Sequence, residues 1–450
     1  MFLKLQKEIG LANLLKLSKQ NKFSINTLLF LSLLLPISLI SVPLIIEIII
    51  FLIFLSYFRT SFQSSLNKEK FTYLEILIYS FFIILVLSSL LSDYKLISLK
   101  SSLLSVRFII YAYAILFLLK KIKYFFRYFF IISCISFIFV IFDGYIQLVF
   151  GKNIFQLEKI NDYIVSGVFG DEKKLGSYIA RFFPILIGSY LLVSKSKIKK
   201  KFRNIFILSI FIFALLLFTW ERVAFLYFVV SMFFVSIFFI KNNTCKKEIL
   251  IFFAAFIASI YLLISLDIKH FKHWANNTLK QLSPEGRIVY ISKQHENFAF
   301  TALELFKRNK ILGVGPNNFR RECSKINLLE TSFKKRFLLN LKSYEKNIES
   351  PYKYNCSTHP HNITFQLLSE TGIIGFTIYL LIIFLLFKEV LQFFLTKNIN
   401  NPKIFFLLPF IYYINPIMPS GNFFNNWYMF IGILGIPFYI FLSKVKKSVQ

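Results

Sequence analysis

The chain has 450 residues, of which 56% are hydrophobic and 19% aromatic, with a mean hydropathy of +0.63. Several apolar runs are long enough to cross a bilayer, which excludes a soluble enzyme and predicts an all-α, polytopic membrane bundle in contact with membrane lipids. The net charge of +31 would suggest nucleic acid in a soluble chain, but here it divides between two membrane faces, and no nucleic-acid partner is expected.

The basic first 22 residues precede an apolar block without a small-residue cleavage site, so a retained, cytoplasmic amino end is expected. The block from Ser24 to Phe58 reads as two joined spans, because Pro36 and Pro43 interrupt it and one straight helix of that length would overshoot the bilayer. Further spans are predicted at 71–91, 101–119, 128–149, 176–193, 204–220, 222–240, 248–266, 362–387, 404–418 and 427–443, about twelve in all, with both termini inside. Charge tests this count independently of hydropathy. Loops placed in the cytoplasm hold about 27 Lys and Arg against about seven in the short outer loops. The chain then divides into helices 1–9 over 1–266, a large periplasmic loop over 267–361, and helices 10–12 over 362–450.

The long loop carries all five histidines, about 17 basic and about 8 acidic residues, and so forms a basic cap suited to an anionic ligand at the outer leaflet. A solvated loop without a ligand is the alternative. From Arg287 to Arg308 the apolar residues Ile288, Ile291, Phe298, Ala302 and Leu305 recur at helical spacing, predicting an amphipathic helix on the membrane or the bundle top. The segment Gly313–Phe319, GVGPNNF, ends it with turn chemistry. Cys323 and Cys356 fall in the same loop. If the compartment is oxidising they can pair, closing about 34 residues for roughly 3 to 4 kcal/mol; two free thiols are the alternative.

The segment Thr358–Phe376, THPHNITFQLLSETGIIGF, joins this loop to a hydrophobic run. It places His359 and His361 at a water–lipid boundary, where an imidazole can accept a proton near neutral pH or merely hydrogen-bond at a helix entry. Asn362, Gln366 and Glu370 follow at four-residue spacing, one polar stripe that should face protein or a water-filled cavity. Glu370 is about 13 Å beyond His361 on a continuous helix, too far to orient that ring, and is assigned a structural or arginine-pairing role. Arg222, between two apolar spans, is either a two-point phosphate ligand, a partner of Glu221, or a snorkelling arginine. Arg287 alone is a surface charge. Arg181 lies about one turn inside a span, so it pairs, with Asp171 or Glu370 the candidates, or lines a cavity. His270 and His273 have metal-compatible spacing but no third ligand, and neither paired aspartates nor a phosphate-binding glycine loop occurs.

These residues resemble a known group. THPHNITFQLLSETGIIGF is similar to the HN-x-x-L-Q-x-x-x-E-x-G-x-x-G signature of the O-antigen ligase and polymerase superfamily of bacterial envelope enzymes, and EGRIVYI followed by KRNKILGVGPNNF resembles the block before it. The resemblance implies glycosyl transfer at the periplasmic face of the inner membrane, without a metal or cofactor. The donor would be an undecaprenyl-pyrophosphate-linked glycan. In ligases the acceptor is a hydroxyl of the lipid A core; in polymerases it is a growing glycan. By this resemblance His361 deprotonates the acceptor, directly preceding Asn362 as the motif requires, while Arg222 and Arg287 engage the pyrophosphate. His359, Arg181, Asn362 and Arg320 are further candidates for substrate contact, and Glu370, Gly372, Gly375, Gly313 and Gly315 for structure. Many ligases carry Ser-Arg-Gly where this chain has Glu221, Arg222 and Val223, which is reminiscent of polymerase-like branches. Direct displacement at the anomeric carbon would invert it. A non-enzymatic transporter is the reading from another class, disfavoured because ionisable residues gather at the outer boundary rather than at mid-bilayer.

Overall fold

The computed structural model describes residues 19–41, 43–62, 71–122, 124–160, 163–242, 246–266, 268–283, 291–326, 356–396 and 401–447. In chain order the helices are α1 Lys19–Ser38, α2 Pro43–Phe62, α3 Tyr73–Leu91, α4 Lys95–Lys121, α5 Phe125–Phe150, α6 Leu175–Val193, α7 Ile198–Thr219, α8 Arg222–Lys241, α9 Lys246–Leu266, α10 Ile268–Leu282, α11 Lys293–Arg308, α12 Ile363–Leu395, α13 Lys403–Tyr413, α14 Asn426–Ile433 and α15 Ile436–Lys447. Among the described residues eight helical stretches are long and apolar enough to cross a membrane. Among the described residues the fold is all-helical, with isolated β-bridges around 152–164.

Sequence sets most of the helix ends. Pro43 opens α2, where its missing N–H costs nothing. Thr72 and Glu75 form a reciprocal capping box on α3, and Gly151 closes α5 in a left-handed conformation. Asn362 and Asn425 accept the first free amides of α12 and α14.

The last two predicted spans differ from the sequence reading. The run at 404–418 stops being helical at Tyr413, because the carbonyls of Pro416 and Ile417 are turned to the Asn362 side chain. The run at 427–443 is two helices joined at Leu434–Gly435. There the chain passes so close to α13 that a Cβ on Gly435 would lie 2.1 Å from the Phe406 carbonyl oxygen.

α6 is the most enclosed long helix and packs against α5, α8 and α13. Aromatic rings fill the space around it. Phe438 meets Phe126 and Phe129 with ring centres 5.3 and 4.8 Å apart, and Tyr227 stacks on Tyr412 at 4.3 Å. Such rings bury large apolar area and fix helix register through edge and offset contacts. A second, smaller core lies apart from the first. In it Ala302 and Leu305 of α11 pack with Val314, Phe319, Cys323 and Ile326 against Phe365. The apolar stripe expected within 287–308 is therefore buried against α12 rather than in lipid, and its helix begins only at Lys293, capped by Ser292.

Candidate active site

α12 breaks at Gly372, and everything around the candidate site follows from that break. Gly372 has φ +63°, so the helical bonds across it are lost. Four backbone groups would be left bare in the protein interior, a cost of several kcal/mol if none were matched. The segment 310–315, which runs into GVGPNNF, supplies all four partners. The amides of Val314 and Gly315 donate to the carbonyls of Ser369 and Glu370 at 3.0 Å each, and the amides of Ile373 and Ile374 donate to Lys310 and Ile311 at 2.8 and 3.4 Å.

Two backbones can approach this closely only without side chains. A Cβ on Gly372 would sit 2.3 Å from the Ile311 oxygen, and one on Gly313 would sit 2.4 Å from the Glu370 carbonyl carbon. Gly313 and Gly315 also have positive φ, +69° and +98°. Gly375 faces Thr371, whose hydroxyl a Cβ would meet at 2.2 Å.

Serines of α3 and α4 clamp the junction from the far side. Ser88 donates to the carbonyls of Leu312 and Glu370, Ser92 to Val314 and Ser98 to Pro316. Asn318 donates in turn to the hydroxyls of Ser92 and Ser98 at 2.6 and 2.8 Å. Sequence reasoning passed over these serines. Their signal was a run of small hydroxyls, Ser88, Ser89 and Ser92, spaced on one face of an otherwise apolar helix.

The polar stripe faces protein. Asn362 donates to Pro416, Gln366 bridges Glu370 and Asn422 at 3.1 and 2.8 Å and accepts from the Phe423 amide, and Glu370 accepts the Phe319 amide at 2.9 Å. Glu370 is fully buried, and among the described residues no arginine is hydrogen-bonded to it. Arg181 reaches neither Asp171 nor Glu370. It donates to the Tyr428 hydroxyl at 2.9 Å and lies over the rings of Tyr227 and Tyr428, cation against π-face.

Three histidines meet just before α12. The His359 and His361 ring centres are 4.1 Å apart, and His361 also touches His295 at 5.7 Å and stacks on Phe298 at 5.3 Å. His295, on α11, was not singled out in the sequence. The His359 ring is tilted by 41° to that of His361 and the His295 ring meets it edge-on, and no group of three or more potential metal ligands occurs among the described residues.

The two motif histidines differ in what their nitrogens do. In the buried His359, Nε2 faces the Ser420 carbonyl at 3.1 Å and must carry the proton, while Nδ1 accepts from Thr358 at 2.9 Å. Burial first and the charge of His361 second bring the pKa of this ring down to about 4, against the bond to Ser420, which favours the charged form. The His361 ring has one hydrogen-bond partner among the described residues, Ser357 at Nε2 at 3.1 Å, and none at Nδ1. Burial first and the charge of His295 second hold His361 below its ordinary pKa, so it is neutral at pH 7. Its backbone is left-handed, φ +56°, held by the bond from the Ser420 amide to its carbonyl.

The Cys323 and Cys356 sulfurs are joined, with Cα atoms 5.5 Å apart, tying the histidine turn to the segment after GVGPNNF. Arg320 is exposed on that segment, hydrogen-bonded to Asn317, and its charge is felt at His359. Arg222 is elsewhere: it donates to Gln281 of α10 at 2.8 Å and not to Glu221. Glu221 instead receives the Gly176 and Ser177 amides and the Ser177 hydroxyl at 2.6 to 2.9 Å, a carboxylate at the amino end of α6. Burial lifts its pKa to about 7 against those donors. Arg287 and the side chains of His270 and His273 lie outside the described residues.

Residues 207–380 match the family model described as O-antigen ligase. The chain carries a domain of the O-antigen ligase family. No curated protein matches the chain. The O-antigen ligase domain takes in Arg222, the three histidines and both glycine segments, and stops short of the α3–α4 serines that clamp them. This is a family of glycosyltransferase-like enzymes.

Proposed function

We propose that the protein transfers a glycan from undecaprenyl pyrophosphate to a sugar hydroxyl of the lipid A core at the periplasmic face, with His361 as general base. The observation that carries this reading is the contrast between the two motif rings. His359 has both nitrogens engaged, whereas His361 is neutral at pH 7 and keeps Nδ1 free among the described residues. A general base needs an available lone pair and a pKa at or below the working pH.

In the transfer, His361 takes the proton of the acceptor hydroxyl as its oxygen forms a bond to the anomeric carbon. The bond from that carbon to the pyrophosphate oxygen breaks, and the pyrophosphate leaves with the electron pair, so the centre inverts. Arg222 and Arg287 offset the charge growing on the leaving group, a role that two-point arginine–phosphate geometry serves well. Asn362 orients the turn that presents His361, through its bonds to Phe365 and to Pro416. His359 fixes that turn through Ser420.

Polymerisation of glycan repeats is the second reading, favoured by the Glu221–Arg222 pattern in place of Ser-Arg. Lipid and polysaccharide profiles of a deletion strain separate the two. Ligase loss leaves polymer on the polyprenyl carrier and bare core, whereas polymerase loss leaves core bearing a single repeat. Complementation with His361→Ala is expected to reproduce the deletion profile with the protein still inserted in the membrane; a wild-type profile would remove His361 as the base.

A further inference from the structure

On the α4 side of the Arg320 segment lies a cavity of about 330 Å³, lined among others by Lys100, Ser101, Arg107, Asn317, Arg320 and Arg321. Its lining holds four cations and no carboxylate. Lys100 and Arg320 are exposed, and Arg321 lies over the Tyr94 ring. Arg107 is half-buried. It pairs with Glu47 of α2 and with Asn426, yet its Nε and the Glu47 Oε1 are buried without a hydrogen-bond partner among the described residues. Arg107 is twelve residues into α4, about 18 Å along the helix, a depth at which a charge is costly unless it serves a ligand or a water-filled space.

A second cavity, about 120 Å³ and almost wholly apolar, adjoins the first. The two share Ser105, Phe108 and Met429 in their walls. Along α3 the apolar cavity extends from Leu85 back to Glu75, ten residues or about 15 Å, with Ala112 of α4 in its wall. A polycationic chamber set against an apolar one across a shared wall is complementary to an amphiphile with phosphate at its head and hydrocarbon at its tail.

We infer that the joined cavities seat a phosphate-bearing lipid, its headgroup against Lys100, Arg320 and Arg321 and one hydrocarbon chain between α3 and α4. This seat is built from residues other than Arg222 and Arg287, so the chain has two places for lipid phosphate, with Arg320 standing between this one and the histidines. That arrangement suits a reaction joining two lipid-borne partners, but the seat itself rests on none of the transfer chemistry and is read by binding alone.

The test uses full-length protein in phosphatidylcholine nanodiscs containing a small fraction of phosphatidic acid with a diazirine in its acyl chain. After photolysis, mass spectrometry locates the labelled residues. Labelling is expected within 75–85 and 105–116, falling at least tenfold in the Arg320→Ala, Arg321→Ala double variant. Ala112→Trp, which fills the apolar cavity, is expected to abolish it while leaving labelling of other lipid-facing helices unchanged. Lys100→Ala, at an exposed position, is expected to weaken it severalfold and repeats the test should the double variant lose its fold. Equal labelling of these segments by diazirine phosphatidylcholine, or labelling indifferent to the three cations, would overturn the proposal.

Discussion

His361 and the stripe that begins at Asn362 are neighbours in sequence and opposites in chemistry. From Asn362 to Glu370 the polar atoms meet protein partners, and the backbone groups freed at Gly372 are matched one for one by the 310–315 segment. One residue earlier the matching stops. His361 holds a single hydrogen bond on one nitrogen, and beyond Arg320 lies a cavity lined by cations without a carboxylate. Polar groups inside a membrane bundle are costly either way, so saturation marks those that hold the structure and shortfall marks those kept for a ligand. The glycines and the histidine of one motif therefore do different work, and substitutions should separate them.

The sharpest separation is expected at Gly372. An alanine there must adopt φ +63° and place its Cβ 2.3 Å from the Ile311 oxygen, forcing apart the two backbones that seal the break. With ψ at −166° this is a backbone region that essentially only glycine adopts, which alone costs about 1 to 3 kcal/mol for alanine, and the overlap adds the loss of up to four backbone bonds. Gly372→Ala is expected to yield little monodisperse protein on size-exclusion in detergent. Gly421→Ala, whose Cβ would have its nearest neighbour at 3.7 Å, is expected to behave as wild type. A stable, active Gly372→Ala protein would show that the seal is dispensable and would break the contrast.

Much of this was legible in the chain. Apolar run lengths located the helices, proline and asparagine marked where several begin, and the four-residue spacing of Asn362, Gln366 and Glu370 gave a stripe that does face protein. What escaped was everything that depends on a partner distant in sequence. Nothing local tells that Ser88 meets Leu312, that Glu221 caps α6 instead of pairing with its neighbour Arg222, or that Arg181 is met by the Tyr428 hydroxyl and two rings rather than by a carboxylate. The two helix breaks near Tyr413 and Gly435 were hidden for the same reason. Hydropathy sums a window, whereas the break at Gly435 is set by one close approach to the Phe406 carbonyl. His295 was invisible as a site residue because its link to His361 is made across α11 and α12.

That link supplies a second prediction, smaller in effect and specific to the unsaturated side. His361 is held below its ordinary pKa by burial and then by the charge of His295, so the rate of transfer should fall on the acid side only below pH 6.5. Removing His295 takes away a like charge and admits water to the ring, and both changes raise the pKa of His361. In His295→Ala the acid limb of kcat/KM is expected to move to higher pH, with the plateau rate above it nearly kept. A lower plateau with an unmoved limb would make His295 a packing residue only.

The smallest effect is expected at Ser88, on the saturated side. Its hydroxyl donates to two carbonyls, Leu312 and Glu370, which lie on the two backbones that meet at the break. The Glu370 carbonyl keeps the Gly315 amide, but the part-buried Leu312 carbonyl loses its donor, so Ser88→Ala is expected to cost about 1 kcal/mol, well short of unfolding a bundle of this size. The cost should appear locally, as faster hydrogen exchange at the Val314 and Gly315 amides that donate across the same junction, while the His361-dependent acid limb stays in place. If exchange at those amides is unchanged but the limb shifts, the junction and the histidine turn are one coupled unit, and the boundary drawn between them at Asn362 is in the wrong place.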